Sequence, residues 1–146
     1  MKTQLVQEVE DWPAVAAAIL AELTPQPHKA TVIALSGDLG VGKTTFVQHL
    51  AQALGITEPV TSPTFTIMKQ YDTDDQSFTS LIHMDAYRLE SVAELAALRF
   101  DELVAREKTL FCIEWAEKIT PALPTDTVHF QLGINQENIH TIQKLS

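Results

Sequence analysis

Along the chain the spacing of apolar positions changes several times, and each change marks a boundary between elements. Leu5, Val6 and Val9 alternate imperfectly, as a short edge strand does. Asp11-Trp12-Pro13 then has the form of a helix start with proline in the first turn; residues 15–23 keep helical spacing, and Thr24-Pro25-Gln26-Pro27-His28 ends it. Residues 32–35 form a short apolar run that predicts a buried strand. Phe46, Val47, Leu50, Ala51 and Leu54 return to helical spacing before Gly55 stops it. Residues 57–65, Thr-Glu-Pro-Val-Thr-Ser-Pro-Thr-Phe, predict a loop. Residues 66–71 and 80–84 predict a hairpin around the polar turn 72–77. Ser91 and Glu94 have the spacing of a capping box ahead of Leu95, Leu98, Leu103 and Val104, predicting a helix over 91–107 with a break near Phe100. Residues 110–113 predict another buried strand, and 127–132 with 139–145 a closing hairpin around Asn135-Gln136-Glu137-Asn138.

The alternation of strands and helices predicts an α/β chain. Within it, residues 31–45 carry the most chemistry. The apolar strand runs into Gly37-Asp38-Leu39-Gly40-Val41-Gly42-Lys43-Thr44-Thr45, which meets the phosphate-loop pattern G-x-x-x-x-G-K-[ST] at every fixed position. Glycines take the positive-φ conformations that let backbone N–H groups curl round a phosphate. In such a loop residues 38–45 supply the cradle, Lys43 a charge at the β- and γ-phosphates, and Thr44 a hydroxyl for Mg²⁺. The helix that follows points its positive end at the anion. The strand, loop and helix come in the order the motif needs. The fold this predicts is a three-layer α/β/α, P-loop NTPase-like domain with a mixed, mostly parallel central sheet and antiparallel hairpins.

Length and charge narrow the reading. At 146 residues the chain predicts one domain, with room for one nucleotide site and not for a second lobe. The formal charge of −9 has the wrong sign for a chain that grips a nucleic acid by itself, whereas a local site built from Lys43, loop amides and Mg²⁺ holds ATP at any net charge. No apolar stretch is long enough for a membrane span, and the first residues, Met-Lys-Thr-Gln-Leu-Val-Gln-Glu, lack a signal-peptide core; a cytoplasmic protein is expected. Cys112, the only cysteine, lies in an apolar run and reads as a core residue.

Further candidates lie at strand ends and loops. The 57–65 loop follows the phosphate-loop helix, where related folds put a switch segment, and Thr64, then Ser62, are its candidate hydroxyls; a strand-leading turn with hydroxyl caps explains the same residues. Leu81-Ile82-His83-Met84-Asp85 ends an apolar strand in a carboxylate, and His83 shares its face. Asp85 is a candidate to orient water or hold Mg²⁺, with a turn cap or a pair to Arg88 as the plain alternative. His83 alone reads more readily as a hydrogen-bonded core histidine. Leu110-Phe111-Cys112-Ile113-Glu114 repeats the pattern, so Glu114 competes with Asp85 for the metal. Trp12 either lines an adenine pocket or anchors the first helix, and the 135–138 turn is a second candidate for that pocket.

Taken together, residues 37–45, Ser-Pro-Thr-Phe (62–65), His-Met-Asp-Ala-Tyr-Arg-Leu (83–89) and Ile-Glu-Trp (113–115) resemble, in order and spacing, the bacterial TsaE (YjeE) family over nearly the whole chain. That resemblance implies an ATPase working with TsaD and TsaB in making the threonylcarbamoyladenosine of tRNA, with tRNA met only through the complex. It also implies that Lys43 binds phosphate, that Thr44 with Glu114 holds Mg²⁺, that Thr64 belongs to the switch, that Asp85 is required for hydrolysis and that Trp115 lies beside the site. A small kinase is the rival enzyme, but the chain has only Arg88, Arg99 and Arg106 and no segment free to be a lid. A GTPase is expected to show Asn-Lys-x-Asp, which is absent. A nucleotide-gated binding module with little functional hydrolysis carries the same motifs.

Overall fold

The computed structural model describes residues 11–63 and 67–145, together with the backbone of 3–6. In chain order the elements are β1 (Thr3–Val6), α1 (Asp11–Glu22), β2 (Thr31–Ser36), α2 (Lys43–Ala53), β3 (Met68–Asp72), β4 (Ser80–Asp85), α3 (Phe100–Val104), β5 (Thr109–Glu114), β6 (Val128–Ile134) and β7 (His140–Lys144). Among the described residues the strands make one seven-stranded sheet, ordered β1-β7-β6-β2-β5-β4-β3. The four central strands are parallel; β3 pairs antiparallel with β4, β7 with β6, and β1 with β7. The expected mixed sheet with a parallel centre and antiparallel hairpins is therefore present.

Position in the sheet explains the sequence patterns. Strands β2, β4 and β5 are covered on both faces, so they are apolar almost without interruption, whereas β3 and β6, nearer the edges, mix buried and exposed positions. Odd and even residues of β2 feed two separate cores. Ile33 and Leu35 pack with Trp12, Ile19, Phe46 and Leu50 of α1 and α2, while Val32 and Ala34 pack on the opposite face with Phe100, Phe111 and Ile119. This is the three-layer α/β/α arrangement. Cys112 is fully buried in the first core, and burial pushes its thiol pKa up, as befits a structural residue. No described helix is long and apolar enough to cross a membrane.

Two expectations change in detail. The helix over 91–107 is instead a 3₁₀ segment, Val92–Leu98, followed by the short α3; the break falls at Arg99, in a left-handed conformation with φ +57°. That reversal turns Phe100 inward, where its ring lies 5.5 Å from that of Phe111. At the segment's start the Glu94 carboxylate accepts the Ser91 N–H at 3.3 Å, which is the capping contact the spacing predicts. The strand expected from residue 66 begins at Met68, after Ile67 with φ +64°. Val9 and Thr66 lie outside the described residues.

Candidate functional site

The carboxyl ends of β2, β5 and β4 open on one side of the sheet, and the N-terminus of α2 rises among them. The chain leaving β2 reaches α2 through a loop that only glycine permits at two points. Gly37 has φ +146°, and a Cβ there would stand 2.5 Å from the Leu132 carbonyl oxygen. Gly42 has φ +106°, and a Cβ would stand 2.7 Å from the Trp12 ring. Gly42 also precedes α2 with no side chain capping the helix, so its first amides are left for an anion.

Four polar side chains cluster beneath this loop, all at least partly withdrawn from solvent. Lys43 is buried and donates to the carbonyls of Gly37 at 2.5 Å and Asp38 at 2.9 Å, with its Nζ 4.1 Å from the centroid of the Trp115 ring. Burial pushes this ammonium below the ordinary lysine range, opposed chiefly by the charge of Glu114. Thr44 Oγ1 donates to the Glu114 carboxylate, lying 2.9 Å from Oε1 and 2.8 Å from Oε2. Glu114 is only 3% exposed, and its Oε2 also meets Nε2 of the fully buried His83. A hydroxyl and a carboxylate side by side are an all-oxygen donor set of the kind Mg²⁺ accepts, with phosphates and water completing the shell. Among the described residues no three His, Cys, Asp or Glu side chains gather as a zinc site needs.

Asp85 lies beside Glu114 in register but in a different setting. It is half-buried and accepts the Tyr87 N–H at 2.9 Å. Burial raises its pKa, the Tyr87 bond opposes the rise, and the charge of Glu114 adds to it. Trp115, held at φ +57°, packs its ring 4.9 Å from that of Tyr87. These residues share a cavity of about 670 Å³.

Most of the residues singled out from sequence meet in that cavity. Leu39, Gly40, Gly42, Lys43, Thr44, Thr45, Asp85 and Glu114 line it, as do Ser62 and Trp115. Asp38 and Val41 take part through backbone: the Asp38 carbonyl holds Lys43, and the Val41 carbonyl accepts a hydrogen bond from His140 Nδ1 at 3.1 Å. Thr64 lies outside the described residues. Trp12 anchors the first helix, buried in the core with α2, and its ring also lines the cavity. Sequence reasoning missed Tyr87 as a lining residue and His140 altogether. His140 begins β7 next to the suspected 135–138 turn and stands 6.0 Å from Trp12, ring to ring, so the proximity of that turn was the available signal.

A glycine-rich loop between a parallel central strand and a helix, with acid-ended strands beside it, defines a small P-loop NTPase-like α/β/α protein. The chain belongs to the TsaE family: residues 6–142 match the family model described as "Threonylcarbamoyl adenosine biosynthesis protein TsaE". It is similar to the tRNA threonylcarbamoyladenosine biosynthesis protein TsaE of Bacillus subtilis, 43% identical over 108 residues, covering 73% of this chain and 65% of that protein. The protein of the same name from Treponema pallidum is 37% identical over 129 residues, 88% of this chain and 86% of its own length. The match to the Bacillus protein thus spans just under two thirds of that relative. Among solved structures, the crystal structure of Bacillus subtilis YdiB superposes with a TM-score of 0.76 at 30% identity, covering 98% of this chain and 83% of that one.

Proposed function

We propose that this protein binds ATP with Mg²⁺ and hydrolyses it, and that hydrolysis serves the threonylcarbamoyladenosine modification of tRNA through TsaD- and TsaB-like partners. The observation that carries the reading is the meeting of Lys43, Thr44, Glu114 and Asp85 at the ends of three parallel strands, in a TsaE-family chain. The names of its relatives, tRNA threonylcarbamoyladenosine biosynthesis proteins, support the process. A charge of −9 favours meeting tRNA through a partner that supplies the basic surface.

In this reading the amides of residues 38–45 cradle the phosphates, and Lys43 exchanges the Gly37 and Asp38 carbonyls for phosphate oxygens. Thr44 and Glu114 hold Mg²⁺, which when bound offsets charge on the β- and γ-phosphates. Asp85, half-open to the cavity, orients the attacking water, and Ser62 with Thr64 belongs to the switch. The far end of the cavity, at Trp12 and His140, takes the base. Because Nδ1 carries the proton that bonds the Val41 carbonyl, Nε2 is the ring nitrogen left to accept, suited to the 6-amino group of adenine and unsuited to the 6-oxo group of guanine.

Arg88 is the one arginine among the residues lining the cavity, and nothing there resembles a kinase's phosphate clamp. Intrinsic turnover is accordingly expected to be slow, since an arginine finger is worth about 10³–10⁵ in kcat in comparable enzymes. The test is ATPase activity with and without TsaD- and TsaB-like partners, for the native chain, Lys43→Ala and Asp85→Asn. Partner stimulation that is lost in both variants, with ATP binding lost only in Lys43→Ala, supports the reading. If Asp85→Asn still sustains tRNA modification over many turnovers, hydrolysis is dispensable and the protein is a nucleotide-gated binding module.

A further inference from the structure

His83 is fully buried on β4, two residues before Asp85 and so on the same face of the sheet, the face that α2 covers. Its register partner on β5 is Cys112, so the ring reaches diagonally along the sheet to bond through Nε2 to Oε2 of Glu114. Its other nitrogen, Nδ1, is buried and has no hydrogen-bond partner among the described residues. A histidine retained only for packing is expected to pair both nitrogens, and an apolar side chain would fill the same space without leaving one unmet. The ring is therefore explained by what Nε2 does.

Resting on the reading of Glu114 as a Mg²⁺-holding carboxylate, we propose that His83 is a positioning residue that fixes the orientation of Glu114 before the metal arrives. The Thr44 hydroxyl lies almost equally far from both carboxylate oxygens, at 2.9 and 2.8 Å, and its single proton serves one of them at a time. Thr44 by itself leaves the carboxylate free to turn. The His83 contact is made to Oε2 alone, by a ring that burial holds still, and it distinguishes the two oxygens. Glu114 is thereby presented to the cavity in one orientation, and a buried carboxylate keeps a second partner when the Thr44 oxygen turns to the cation.

The experiment is ATP binding at equilibrium, titrated with Mg²⁺ and repeated without it, for the native chain, His83→Leu, His83→Gln and His83→Asn, with the ligand-free melting temperature of each. The Gln amide reaches the position of Nε2 and the Asn amide does not. His83→Leu and His83→Asn are expected to need about 10- to 100-fold more Mg²⁺ for half-maximal enhancement of ATP binding, while Mg²⁺-free binding is unchanged and His83→Gln stays near the native value. Should His83→Leu fail to fold, the Gln and Asn pair carries the same contrast. Native Mg²⁺ requirements in all variants, or equal losses with and without Mg²⁺, overturn the proposal and leave His83 a core residue. A native chain that binds ATP equally well with and without Mg²⁺ overturns instead the underlying reading of Glu114, and the proposal with it.

Discussion

Asp85 and Glu114 close adjacent parallel strands, stand opposite each other in register, and have the same local sequence pattern of an apolar run ended by an acid. Their surroundings divide them. Glu114 is buried and held by Thr44 and His83, so its oxygens are directed, whereas Asp85 is half-buried, bonds one oxygen to the Tyr87 amide and meets the open cavity. A directed, partnered carboxylate suits holding a cation. A carboxylate facing the cavity, with a pKa that burial raises, suits ordering water. The difference comes from what packs across each strand end, not from the strands themselves.

Hydrolysis separates the two acids most severely. Asp85→Asn keeps the shape and the Tyr87 contact but loses the charge, and is expected to bind Mg²⁺ and ATP normally while single-turnover hydrolysis falls by about 10²–10⁴. If binding falls instead, the two acids share one role. Glu114→Ala is expected to remove the Mg²⁺ enhancement of ATP binding and, by leaving His83 and Thr44 without their partner, to lower stability by about 1–3 kcal/mol, measured by denaturant unfolding. A variant as stable as the native chain would mean that the buried cluster holds nothing in place.

At the base end, His140→Phe keeps a ring beside Trp12 and removes the Nε2 acceptor; preference for ATP over GTP in competition binding is expected to fall about fivefold to tenfold, the worth of one hydrogen bond. The smallest effect is on pH dependence. Because the Asp85 carboxyl is raised, its destabilising influence is absent below the unfolded carboxylate range near about 3.9 and fully present above its native titration. Asp85→Asn should therefore melt level with the native chain at low pH and slightly higher at neutral pH, in scans without ligand. A gap that closes as pH rises would reverse the sign.

Local sequence made much of this legible. The loop from Gly37 to Thr44, the strand before it and the helix after it are consequences of short-range spacing, and so are the two acid-ended strands. Where spacing misjudged the helix, one residue was responsible: Arg99 adopts a left-handed conformation that splits it, and a propensity for helix on both sides does not announce it.

By itself the sequence determined that a loop of the phosphate-binding pattern sits between a buried strand and a helix, that two apolar runs end in carboxylates, and that the chain resembles one family through four spaced segments. Register and packing decided the rest. Only the folded sheet brings His83 diagonally onto Glu114, lays Trp12 against Gly42, and carries His140 to the carbonyl of Val41, 99 residues away. Contacts of that kind depend on strand order and layer packing, which a one-dimensional pattern constrains but does not specify. They are the contacts that give two similar acids different surroundings.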